Sequence, residues 1–186
     1  LRYDPDFLHS LVPVTAPPFA PPVCQMMAEA AKKAGVGPMA SVAGAINEMV
    51  GEELRQESQE VIIENGGDLL VFSQEARVVA VYAGEDSPFS FRIGIKLSPG
   101  KKWGVATSSG TVGHSLSFGK ADAVVVVAES SAVADAWATS LANRVREKED
   151  IKKVLEFSRQ VTDIQGILII LGKFLGVEGN IQIEKL

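Results

Sequence analysis

This sequence is short of sulfur, imidazole and positive charge, and each shortage removes a class of function. Its 186 residues include one cysteine and two histidines. A lone thiol, Cys24, excludes an internal disulfide and a cysteine-built metal cluster. Lying in an apolar helical pattern, it reads as a small core residue. Lysine and arginine number 18 against 23 acidic residues, for a net charge of −5. No basic stripe or arginine-rich run exists, so a nucleic-acid partner is not expected. Long hydrophobic runs are missing too. Val124 to Ala128 and Ile167 to Leu171 fall far short of the ~20 residues a membrane helix needs. Nothing at the start, Leu1, resembles a signal peptide. No membrane span and a cytoplasmic location are therefore expected. The remainder, 46% apolar and 22% charged, suits one globular domain over residues 1–186 with a real core.

Residues 1–22 form a proline-rich opening segment. Pro13, Pro17, Pro18, Pro21 and Pro22 favour extended backbone and remove amide donors, so an irregular connector is expected. His9, isolated here, reads as solvated. Val23 to Ala34 predicts a helix stopped by Gly35. A second helix follows Gly37-Pro38, with Val42, Ala45, Ile46, Met49, Val50 and Leu54 at helical spacing. Gly44 inside it costs about 1 kcal/mol relative to alanine, and either close helix packing or close approach of a ligand to the backbone would account for a glycine there. Asn65-Gly66-Gly67-Asp68 between two β-rich runs is a hairpin signal. Further strands are expected at Arg77 to Tyr82, Phe91 to Leu97, Trp103 to Thr107, Val124 to Val127, Ile167 to Leu171 and Ile181 to Leu186, with Gly172 to Gly179 a turn. Asp150 is expected to cap a helix from Ile151 to about Gln160. Short connections favour an antiparallel sheet, and the element order an α+β fold with three or four helices packed against it.

The stretch from Val105 to Ala142 concentrates the chemistry. Its loop, Thr107 to Lys120, is dense in hydroxyls and small residues, the composition of an anion cradle. It is not a P-loop, because Gly113 and Gly119 stand one residue too far apart and Ala121 replaces the magnesium-binding hydroxyl. Nor is it a nucleophile elbow, since the run from Gly113 to Ser117 lacks its final glycine. His114 reads equally as a proton shuttle or a turn residue. Ser130 or Ser131 starts a helix reaching about Val145. On it Asp135 and Thr139, four residues apart, place two oxygens on one face. They read either as a carboxylate favoured by the macrodipole beside an incidental threonine, or as a pair holding Mg²⁺.

Four motifs then resemble those of the ApbE-type flavin transferases. Val105-Ala-Thr-Ser-Ser-Gly110 is similar to their "ATSG" loop, and Ala134-Asp-Ala-Trp-Ala-Thr139 to the start of their metal-binding helix. Asn65-Gly-Gly-Asp68 is similar to their glycine-pair hairpin, and Gly44 to the glycine of their "KG" motif. The stretches Val36 to Gly44, Glu64 to Asp68 and Ser108 to Asp122 resemble more closely an ApbE-like branch of bacteria and archaea, over nearly the whole chain. The resemblance implies a T-fold-like α+β architecture whose upstream strands are absent from this sequence, and a site for FAD or a related nucleotide beside Mg²⁺. By position, Asp135 and Thr139 would ligate the metal, with the carbonyl of Ala40. Gly44, Asn65, Gly66, Gly67, Asp68, Thr107, Ser108, Ser109 and Gly110 would line the nucleotide site.

The departures bear on function. Ala43 stands where the transferases carry lysine, and their "HxxDPxTG" segment is missing. Transfer needs electrostatic support of the departing phosphate, so the reading favoured is binding of a flavin or nucleotide with Mg²⁺. A Mg-dependent transferase or FAD pyrophosphatase-like enzyme is the first alternative, and a non-catalytic interaction protein the second. The apolar content and proline arm offer surfaces for a homodimer, which the sequence does not establish.

Overall fold

The computed structural model describes residues 5–112 and 117–186; His114 lies outside the described residues. The chain opens with a short helix, α1 (Pro5–His9), where an irregular connector was expected. Its anchor is Phe7, only 4% exposed. Helix α2 (Pro22–Ala34) begins on a proline, whose fixed φ suits the first helical turn. It stops at Gly35 with φ +70°, in the left-handed region glycine tolerates best. A 3₁₀ turn, Pro38–Ser41, leads into α3 (Val42–Leu54).

Strands β1 (Val61–Asn65) and β2 (Asp68–Phe72) form the predicted hairpin. Gly66 and Gly67 turn it at φ +66° and +103°. There follow β3 (Arg77–Ala80), β4 (Ile93–Leu97), β5 (Lys102–Ser108) and β6 (Ala123–Ala128). Helices α4 (Ser131–Ala142) and α5 (Lys148–Ser158) precede β7 (Gly166–Leu171), β8 (Phe174–Gly179) and β9 (Gln182–Lys185).

Three expectations are corrected. The stretch from Gly172 to Gly179 is mostly strand: β8 pairs antiparallel with β7, and the turn is confined to Gly172 and Lys173. Glycines hid that strand, yet Gly176 is needed there, because a Cβ would come 2.7 Å from Ile151 Cγ2 of α5. Asp150 is not the first cap of α5; it sits inside the first turn and accepts the amides of Arg146 and Glu147 at 3.1 and 3.2 Å. Helix α4 ends at Ala142 rather than near Val145, and five α-helices lie among the described residues.

All pairings are antiparallel, in a six-stranded sheet ordered β1-β2-β5-β6-β7-β8 and a three-stranded sheet β3-β4-β9. The fold is mixed helix and antiparallel sheet, in three layers. Alternation along β6 explains them. Val124, Val126 and Ala128 face the cluster that includes α2, α4 and α5, while Ala123, Val125 and Val127 face the small sheet. A strand covered on both faces reads as an unbroken apolar run. Burying each of its valines is worth about 1.5–3 kcal/mol. Among the described residues no helix is long and apolar enough to cross a membrane.

Helix α4 is the element this packing holds most firmly. The backbone at Ser131 lies between two glycines: a Cβ on Gly44 would stand 2.3 Å from Ser131 O, and one on Gly104 2.4 Å from Ser131 Cα. Ser131 N–H donates to the buried Glu48 carboxylate at 2.6 Å, and Ser131 Oγ to Leu69 O at 3.1 Å. Ser130 Oγ accepts the amide of Val133, capping the first turn. The start of α4 is thus fixed from α3, β2 and β5, one turn ahead of Asp135.

Candidate functional site

Asp135 and Thr139 project from α4 into a cavity of about 410 Å³, which Ala40 of the 3₁₀ turn and Asp68 of β2 also line. Asp135 Oδ2 accepts the amide of Gly44 at 2.9 Å. Asp68 Oδ1 accepts the amide of Thr107 at 3.2 Å. The Asp68 carbonyl accepts from Asn47 Nδ2 at 2.9 Å, while Asn47 Oδ1 is buried without a partner. Backbone donors on α3 and β5 therefore orient the two carboxylates from opposite sides.

Their electrostatics are unfavourable as the chain stands. Burial pushes the Asp135 carboxyl well above the ordinary carboxylate range and the charge of Asp68 pushes it further, against the amides of Gly44 and Ala43. Burial likewise raises Asp68 to about 7, opposed by the Thr107 amide and assisted by the charge of Glu64. No lysine or arginine is among the described residues lining the cavity. Two carboxylates, a hydroxyl and a carbonyl are all hard oxygen donors, the set that suits Mg²⁺. Among the described residues no group of three or more His, Cys, Asp and Glu side chains could hold a metal. A cation here would rest on two carboxylates completed by Thr139, Ala40 and ligand or water oxygens.

The other predicted residues divide. Gly44 does not line the cavity; the place of its missing Cβ is taken by α4, which accounts for the glycine by close packing. Asn65, Gly66 and Gly67 turn the hairpin and do not line the cavity either; from that motif only Asp68 reaches it. Thr107 and Ser108 are the last residues of β5, Thr107 contributing its amide to Asp68. The loop beyond directs its donors at its own chain. Ser109 Oγ accepts the amides of Thr111 and Val112 at 3.1 and 2.8 Å, and Gly110 N–H donates to Ala121 O at 2.8 Å. A Cβ on Gly110 would meet Gly119 O at 2.2 Å. These contacts close a turn from Ser109 to Val112.

Sequence reasoning missed several residues at this cavity. Asn143 continues the Asp135, Thr139 spacing by another four residues, a helical signal that was available. Leu8, His9 and Leu11 come from the opening segment, and Met39 and Phe118 complete an apolar side. Nothing in the local pattern of the opening segment marks it as a wall of the site.

Comparison with known proteins bears on the same geometry. Residues 1–182 match the family described as AbpE bacteria. A UPF0280 protein of Methanococcus aeolicus is 45% identical over 183 residues, covering 95% of this chain and 73% of the relative. A UPF0280 protein of Methanocaldococcus jannaschii is 43% identical, covering 96% and 74%. The solved structure of an ApbE protein from Thermotoga maritima aligns with TM-score 0.57 at 19% identity, covering 77% of this chain and 51% of that one. The apo flavinyl transferase ApbE of Pseudomonas stutzeri aligns with TM-score 0.52 at 16% identity, covering 77% and 48%. These two share the fold, and this chain spans about half the length of each.

Proposed function

The chain belongs to an ApbE-like family, the one described as AbpE bacteria, and from that premise we propose that its cavity binds a phosphorylated ligand of the flavin or nucleotide class through Mg²⁺. The observation that carries this reading is the pairing of buried Asp68 with half-buried Asp135, brought together beside Thr139 and Ala40 with no lysine or arginine among the described lining residues. Burying like charges is costly unless a cation compensates them. Asp135 and Thr139 would hold the ion from α4, with Asp68 and the Ala40 carbonyl facing them. Bound there, Mg²⁺ would supply positive charge to neutralise phosphate oxygens. The chain's own contribution is orientation: Gly44 N–H and Thr107 N–H hold the two carboxylates, and the clamp on Ser131 fixes the helix that carries Asp135.

Binding is favoured over transfer because Ala43, where the resembling transferases carry lysine, is itself a lining residue. A methyl group there offers no charge to a departing phosphate. The test is a thermal-shift titration with FAD, FMN, ADP and pyrophosphate, each with and without Mg²⁺, followed by chromatography of the FAD mixture. Stabilisation that requires both Mg²⁺ and a phosphorylated ligand, with FAD intact, is expected. Release of AMP would instead favour the enzymatic reading. No shift with any probe, with or without Mg²⁺, would overturn the binding reading.

A further inference from the structure

The carboxylate side of the cavity explains how a cation would be held, but not what meets the ligand oxygens that the cation leaves exposed. Those oxygens need hydrogen-bond donors, and carboxylates can only accept. Two further side chains of the cavity lining supply donors. His9, at the end of α1, lines the cavity and is solvent-exposed. Its imidazole has no hydrogen bond or ion pair among the described residues. Asn143, just past the end of α4, accepts the Phe118 amide on Oδ1 at 2.8 Å. That bond fixes which end of the amide is which, leaving both Nδ2 hydrogens without a partner among the described residues. No other described lining side chain can carry positive charge.

The position of His9 is built rather than incidental. Phe7 is 4% exposed and locks α1 onto the core. Just beyond His9, the backbone passes directly over Gly37, where a Cβ would fall 1.8 Å from Ser10 O. This contact fastens the segment to the loop before the 3₁₀ turn that carries Ala40.

We propose that His9 and Asn143 form the phosphate-contacting part of this cavity, donating to the oxygens of a phosphorylated ligand that the cation leaves exposed. The inference rests on the cation reading above and adds the residues that would recognise the anion. It makes the opening segment a wall of the site rather than a connector.

Calorimetric titration of the full chain separates the two readings, using MgCl₂ alone and then inorganic pyrophosphate at saturating MgCl₂. His9→Ala is expected to leave the Mg²⁺ affinity unchanged and weaken pyrophosphate binding roughly tenfold, the usual size for a lost hydrogen bond to a charged group. His9→Gln, which keeps a donor, should recover part of that loss. Asn143→Asp keeps an oxygen for the Phe118 amide but replaces the donor with negative charge, and should weaken pyrophosphate binding at least as much. Wild-type pyrophosphate affinity in both His9→Ala and Asn143→Asp would overturn the proposal, as would wild-type protein that binds Mg²⁺ but no pyrophosphate. Pyrophosphate binding that depends on His9 while Mg²⁺ binds nowhere would retain the donor pair and overturn the cation reading alone.

Discussion

Two acidic centres meet α3 one turn apart, Glu48 on the helix itself and Asp135 at the amide of Gly44, and they are solved oppositely. At Glu48, whose side chain is 7% exposed, the countercharge is part of the chain: Lys102 Nζ lies 2.5 Å from Glu48 Oε1 and 2.7 Å from Glu52 Oε1. The second Glu48 oxygen accepts the Ser131 amide at the positive end of α4. Burial works to lower the Lys102 pKa, but its hydrogen bonds to Glu48 and Glu52 outweigh burial and hold it above the ordinary lysine value. At Asp68 and Asp135 no lysine or arginine stands among the described lining residues, and both carboxyls are driven upward. A compensated centre serves the fold. An uncompensated one, beside a cavity, is where a ligand's charge belongs.

The largest effect that should sharpen this contrast comes from Lys102→Met. Removing one partner of a buried pair costs about 3–5 kcal/mol. Lys102 keeps 24% of its side chain exposed, so the low end, about 3 kcal/mol, is expected. In a chain of this size that corresponds to a melting temperature lower by roughly 6–12 °C, readable by calorimetry. A loss below about 1 kcal/mol, the scale of a surface pair, would show that the centre is not buried in effect.

Neutralising one acid at each centre should move stability in opposite directions. Glu48→Gln removes the charge that Lys102 and the start of α4 rely on, and should lower the melting temperature. Asp135→Asn keeps an oxygen for the Gly44 amide while relieving repulsion, and should raise it by about 2–4 °C without added metal at pH 8, on the order of 1 kcal/mol. The same variant should lose the stabilisation that Mg²⁺ gives the wild type. An Asp135→Asn protein less stable than wild type without metal would mean that the pair is already compensated.

The most gradual expected effect is a slope with pH. Asp68 titrates at about 7 in the folded chain against an ordinary 3.8, so the folded state holds its proton more tightly than the unfolded state. That contribution is fully present below pH 3.8 and is lost as pH rises to about 7. Metal-free wild type should therefore lose stability relative to Asp68→Asn across this window and run parallel to it above. The change should stay under about 1.4 kcal/mol per pH unit, since a single proton is at stake. Saturating Mg²⁺ should flatten the difference, and parallel curves throughout would remove Asp68 from the pair.

Legibility in the sequence followed the range of the interactions. The hairpin at Asn65 to Asp68, the strand β6 and the start of α4 rest on local rules of turn residues, apolar runs and helical spacing, and all three were readable. Asp135 and Thr139 could be placed on one face for the same reason. Strand β8 escaped because Gly176 answers to α5, a packing demand that no short window contains. Gly44 was ambiguous until α4 was seen to fill the space of its missing Cβ.

What the residues determined by themselves was therefore most of the elements, the layered α+β character and the carboxylate and hydroxyl on α4. Only the tertiary structure decided which second carboxylate faces Asp135, that Ser109 Oγ is taken up by the amides of Thr111 and Val112, and that α1 brings His9 to the cavity. The physical reason is that spacing along the chain fixes the direction of side chains within an element. Charge compensation and donor satisfaction are set by neighbours from elsewhere, here 91 residues apart between Gly44 and Asp135 and 39 between Asp68 and Thr107.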